Sequence, residues 1–137
     1  MAVGVRTTDE NWPTQVGEPV QVVIDTLGAS AFSQNVGLLA ARGRLVVLGT
    51  MTGAQGASID LGVILRKRLE IIGTAMRVRS LPERSELVAR FTREILPWFE
   101  DGTLRPVVDR VVPMREIDEA HRALQANETF GKIVLTW

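Results

Sequence analysis

The run VQVVIDTLGASAFSQNVGLLAARGRLVVLG, Val20–Gly49, decides the fold class. Val20–Asp25 is short, apolar and β-branched. Phe32, Val36 and Leu39 then fall at i, i+4 and i+7 behind Ser30 as an N-cap, and Gly43 follows as the helix stop. Arg44–Gly49 is apolar again. A strand, a helical stretch and a second strand in this order form a βαβ unit, which requires parallel strands.

Outward from that unit, Val3–Arg6, Leu69–Thr74, Val107–Val112 and Lys132–Thr136 complete six strand candidates. Val20–Asp25, Arg44–Gly49 and Leu69–Thr74 are nearly continuous in apolar residues, as strands buried on both faces of a parallel sheet are. Leu61–Arg66 reads as a short helix. A longer helix opens on the capping-box spacing Ser80-Leu81-Pro82-Glu83, carries Leu87, Phe91, Ile95 and Trp98 on one face, and stops at Gly102. Ile117, Ala120 and Leu124 mark a third helix. The last two strands lie beyond the long helix and need sheet partners of their own. The fold class is therefore α/β, a parallel sheet flanked by helices, with two further strands beyond the long helix.

Composition narrows the function. The 137 residues carry 16 Lys+Arg against 16 Asp+Glu, so no net positive field draws the chain to nucleic acid or to an anionic membrane. With no Cys and one His, it can build no disulfide, thiolate nucleophile or Cys/His zinc cage. No stretch approaches the roughly 18 uncharged residues of a membrane span, and Met1–Trp12 has no signal-peptide pattern. A cytoplasmic location is expected, and the Asn127-Glu128-Thr129 sequon is accidental there.

In a doubly wound sheet the ligand lies at the carboxyl ends of the strands. Asp25-Thr26-Leu27-Gly28, Leu48-Gly49-Thr50-Met51-Thr52-Gly53 and Thr74-Ala75-Met76-Arg77 occupy those turns. Their glycines admit close backbone approach and their hydroxyls donate without charge, although glycines also end strands that bind nothing. No G-x-G-x-x-G or P-loop is present, and Gly53-Ala54-Gln55-Gly56 has only part of the spacing. Asp25 at a strand end has the position of a ribose-binding acid but lacks the upstream fingerprint. His121 reads as a packing or solvated residue, and Arg66-Lys67-Arg68 as a solvated face rather than a phosphate site.

Taken in order, Val22–Gly28, Gly43–Gly49, Arg66–Thr74, Glu119–His121 and Gly131–Leu135 resemble the C-terminal half of the medium-chain dehydrogenase/reductase superfamily. Ile95-Leu96-Pro97-Trp98-Phe99 with Leu104–Arg110 is most similar to its zinc-independent NADPH:quinone oxidoreductase, zeta-crystallin-like branch. The resemblance implies hydride transfer from NADPH to a quinone or related enone, without a metal. It implies that Thr26, Leu27 and Gly28 line the ribose and adenine side of the cofactor. Leu48, Gly49, Thr50 and Met51 would border the nicotinamide, and Gly131 and Lys132 would approach it from a C-terminal loop. It also implies a partial Rossmann-like parallel sheet with flanking helices, a partial nucleotide-binding domain over 1–100 and a C-terminal segment over 101–137, in a chain that begins mid-domain, without the glycine-rich turn or the GroES-like substrate domain, whose sheet the last two strands join in relatives. Partners would be further copies, as a homodimer or larger assembly pairing at the Leu69–Thr74 edge or through the C-terminal strands, or a separately encoded N-terminal half. The competing reading is a non-catalytic half-Rossmann remnant serving as an oligomerisation or interaction module.

Overall fold

Parallel pairing of β1 (Val20–Asp25) with β2 (Leu39–Val47), and of β2 with β3 (Glu70–Gly73), gives a three-stranded sheet in the order β1-β2-β3. The computed structural model describes residues 4–5, 9 and 11–137; the expected strand Val3–Arg6 falls largely outside them. A short helix α1 (Trp12–Gln15), with Pro13 in its first turn, precedes the sheet. Two crossovers, α2 (Phe32–Leu38) and α3 (Leu61–Lys67), link the strands. Because the order advances in one direction, right-handed crossovers put both helices on one face of the sheet. Their side chains meet there: Leu39 and Leu45 are fully buried with Val36, packed by Val23, Phe32, Val63 and Ile64.

Burial departs from the expected two-sided pattern. Val22 and Ile24 alternate with Val23 and lie on the other face, 51% and 66% exposed. Continuous apolar strands belong to sheets covered on both faces, and α2 and α3 cover one.

The first crossover also ends differently from the sequence reading. Its N-cap is Ala31, because the Ser30 hydroxyl is held by Thr52 instead. The helix stops at Leu38 and passes directly into β2, five residues earlier than the expected strand start at Arg44. Val20 pairs with Leu39 and Val22 with Arg44, so β2 advances five residues while β1 advances two. Arg42, in the left-handed conformation at φ 63°, takes up the excess as a bulge. Gly43 sits inside the strand and is not the helix stop.

Backbone contacts divide the chain into Met1–Arg79 and Ser80–Trp137. The long helix groups by contacts with the C-terminal residues. In this second unit α4 (Leu81–Glu94) has the predicted capping box: Ser80 Oγ accepts from Glu83 N–H, and the Glu83 carboxylate accepts from Ser80 N–H at 2.7 Å. The helix breaks at Ile95, before the expected stop at Gly102, and resumes as α5 (Leu96–Glu100). Pro97 explains the break: it has no N–H to give Arg93, and its ring collides with the preceding turn. β4 (Val108–Pro113), a 3-10 turn and α6 (Ile117–Gln125) lead to β5 (Lys132–Thr136), and β4 and β5 pair in parallel. The two orphan strands thus become partners of each other across one βαβ crossover.

Candidate functional site

Where β1 ends, the Asp25 carboxylate folds back on its own turn. Its Oδ1 accepts from the backbone N–H of Leu27 at 2.7 Å and of Gly28 at 3.1 Å. Asp25 is 3% exposed, and its Oδ2 is buried without a hydrogen-bond partner among the described residues. Asp25 thus organises the turn and has one oxygen committed to it. Gly28 takes φ +86°, and a Cβ there would stand 2.7 Å from Gly53 O and 2.8 Å from Thr50 Cα. Only glycine fits a backbone packed this closely.

That packing joins the turn after β1 to the turn after β2. Leu48 N–H donates to Asp25 O at 2.7 Å, Met51 N–H to Thr26 O at 3.2 Å and Thr52 N–H to Leu27 O at 2.8 Å. In return Ala29 N–H donates to Gly53 O at 2.9 Å. The Thr52 hydroxyl ties the layers again, donating to Leu27 O at 2.8 Å and lying 2.7 Å from Ser30 Oγ. The ladder between β1 and β2 therefore continues past the strand ends and holds both turns as one rigid lip. Seven residues expected around the cofactor, Thr26, Leu27, Gly28, Leu48, Gly49, Thr50 and Met51, lie on this lip.

Beside it, at the carboxyl ends of β2 and β3, opens a shallow cleft of about 450 Å³. Leu48, Gly49 and Thr50 form one wall, and Gly73, Thr74, Ala75 and Val78 face them. The lining carries no titratable side chain. Arg79, which does not itself line the cleft, bonds to the second wall, its Nη2 donating to Thr74 Oγ1 at 3.0 Å.

Gly131 and Lys132 belong to the second unit. Gly131 takes φ +110°, a Cβ there would collide with the carbonyl oxygen of Val107, and Lys132 N–H donates to that same oxygen at 2.9 Å. They border a smaller cleft, about 230 Å³, floored by Ile117, Ala120 and Leu124 of α6 and edged by His121. The basic run resolves as helix ending. Lys67 Nζ donates to the carbonyls of Gly37 and Leu39 at 2.8 and 2.7 Å, and Arg68 adopts the left-handed C-cap.

Two contributors escape the sequence reading, the structural role of Asp25 and the Arg79–Thr74 bond. The first had a signal in Asp25-Thr26-Leu27-Gly28, since an Asp followed by a turn glycine is an Asx-turn pattern. The second pairs residues across a loop and had none.

The sequence profile of the zinc-binding dehydrogenases matches residues 3–135. The chain belongs to that family. Among its relatives, an acryloyl-coenzyme A reductase of Metallosphaera sedula is 33% identical over 119 residues, covering 87% of this chain and 33% of the relative. A quinone oxidoreductase-like protein 2 of Bos taurus is 26% identical over 85% of this chain and 33% of its own length. A solved NAD-dependent alcohol dehydrogenase superposes with a TM-score of 0.72 at 31% identity, covering 97% of this chain and 37% of that one. These are medium-chain dehydrogenase/reductases with a Rossmann-type fold, and the chain spans about a third of the length of the curated relatives it matches. The metal in the family name does not fit these residues: the sequence has no Cys and one His, and among the described residues no three His, Asp or Glu side chains gather. No helix of the described residues is long and apolar enough to cross a membrane.

Proposed function

We propose that the lip and the cleft beside it form the nicotinamide side of a cytoplasmic NADPH-dependent reductase. Its substrate would be a carbon–carbon double bond conjugated to a carbonyl, as in a quinone, an enone or an unsaturated acyl thioester. The observation that carries this reading is the joining of the two turns, which fixes Gly49 and Thr50 on the wall of an open cleft at the carboxyl end of a parallel sheet. The names of the relatives support the substrate class, because acryloyl-coenzyme A and a quinone share that conjugated unit.

The reduced nicotinamide, when bound, supplies the hydride. The chain's own residues would position and shield it. Leu48 and Val78 offer apolar contact and Gly49 offers close backbone approach, while Thr26, Leu27 and Gly28 continue the surface toward the ribose. The cleft lining offers no acid or base, so the proton that completes the reduction would come from water or from a group outside this cleft.

Calorimetric titration with NADPH and NADH tests the reading. Binding should be detectable and weaker than low micromolar, because the sequence has no glycine-rich phosphate turn. Ala75→Trp should fill the cleft from an exposed position and abolish binding while the melting temperature holds. Unchanged binding in that variant would overturn the placement.

A second reading, an interaction module, is favoured by the open sheet face bearing Val22 and Ile24 and by the free outer edge of β3 in the described sheet. It takes the form of a homodimer or of pairing with a separate N-terminal half. Light scattering showing a monomer at high micromolar concentration would defeat the homodimer form.

A further inference from the structure

The wall opposite the lip carries a cation that the nicotinamide reading does not use. Arg79 is half-buried, and its guanidinium is bonded to Thr74, a residue of the cleft wall. An arginine has five N–H donors, and among the described residues Arg79 has no carboxylate partner and no side-chain acceptor other than Thr74 Oγ1. A second arginine, Arg77, lies two residues away, exposed and likewise without an ion pair among the described residues. The residues that line the cleft are uncharged, so these two arginines are the cations nearest to it in sequence on the 74–79 loop.

Arg79 is also held in place. Its backbone N–H donates to Met76 O at 3.3 Å and its side chain to Thr74, so both ends of the residue close the 74–79 loop. A planar guanidinium restrained in this way, with donors left over, is prepared for a bidentate acceptor, because little side-chain freedom remains to be lost when the acceptor arrives. A purely structural strap would satisfy the loop equally well with a lysine or glutamine, which could make the single bond to the hydroxyl.

We propose that Arg79 is a specificity-determining residue that recruits a phosphate-bearing ligand to the rim of this cleft, with Arg77 adding attraction from the surface. The inference deepens the reductase reading and rests on it for the identity of the cleft. Two ligands of such a reaction carry phosphate, the nicotinamide dinucleotide and a coenzyme A thioester. Arg79 could serve either, and the probes below separate them.

Binding of NADPH and of coenzyme A to the full chain should be measured by calorimetry for the wild type, Arg79→Gln and Arg79→Lys, with thermal melting alongside. Arg79→Gln should weaken one of the two probes about tenfold or more, with Arg79→Lys intermediate and melting unchanged. Loss confined to NADPH assigns the phosphate to the cofactor, and loss confined to coenzyme A assigns it to the substrate. If both probes bind the wild type and Arg79→Gln alike, the inference fails while the reductase reading stands. Wild-type chain that binds coenzyme A through Arg79 but no NADPH keeps the inference and defeats the cofactor reading. Binding of neither probe, or a fall in melting temperature that accounts for the lost affinity, overturns it.

Discussion

The two units of this chain use apolar residues in opposite ways. In Met1–Arg79, Leu39 and Leu45 are wholly buried at the junction of a sheet and two helices. In Ser80–Trp137 the buried apolar residues among those described are Val112, Ala120 and Ala123, and the fourteen-residue helix α4 buries none. Yet α4 carries an apolar stripe through Leu87 and Phe91. Periodicity reports that a helix has an apolar side; it does not report whether this chain contains the surface that side would cover.

The comparison makes its largest prediction at Leu45. Leu45→Ala empties a site with no exposure and should cost about 2–5 kcal/mol in urea denaturation. Leu87→Ala on the half-open face of α4, 42% exposed, should cost well under 1 kcal/mol by the same measurement. Equal losses would erase the distinction between the units.

Next comes the turn. Asp25→Ala leaves the N–H groups of Leu27 and Gly28 without their acceptor in a buried place and should cost about 1–3 kcal/mol. Hydrogen exchange should quicken at Leu27, Gly28 and Thr52 together if the lip behaves as one body. Independent exchange at Thr52 would argue that the two turns are separable.

Ser80→Ala removes one half of the capping box and should cost about 1 kcal/mol, seen as fraying of the first turn of α4 in amide exchange. An unchanged first turn would mean that α4 is held by contacts other than its cap.

The smallest effect is one of pH. Asp109 accepts from Phe130 N–H at 2.9 Å and from the Arg110 guanidinium at 2.6 Å, and these bonds, the backbone one first, hold its carboxyl below the usual Asp range. A lowered native pKa contributes stability above the unfolded value and loses it as pH falls through the native one. The Phe130 amide should therefore stay protected at neutral pH and lose protection only in acid below the ordinary Asp range. Protection lost already near neutrality would detach Phe130 from Asp109.

Much of this was legible before the structure. Short apolar runs separated by helical spacing gave a parallel α/β fold, and Ser80 and Glu83 gave a cap, because these signals are local. The end of α2 was not legible. Gly43 resembles a helix stop, but pairing of Leu39 with Val20 wins, and the left-handed residue is Arg42, a choice made by the sheet rather than by propensity. Pro97 was readable as a break, yet the stripe running through Ile95 and Trp98 spoke for continuity. Around the cleft, strand ends and glycines placed both turns, whereas the guanidinium behind Thr74 depends on how a loop closes in space.

The ammonium of Lys67 reaches back to the carbonyls of Gly37 and Leu39, about thirty residues earlier, where α2 becomes β2 without a loop. The second crossover thus finishes the end of the first. A nascent chain emerging residue by residue has no means of settling that junction until α3 has formed. The two crossovers should accordingly acquire protection in a single kinetic phase, and a fragment ending before Asp60 should leave the terminal turn of α2 open to solvent.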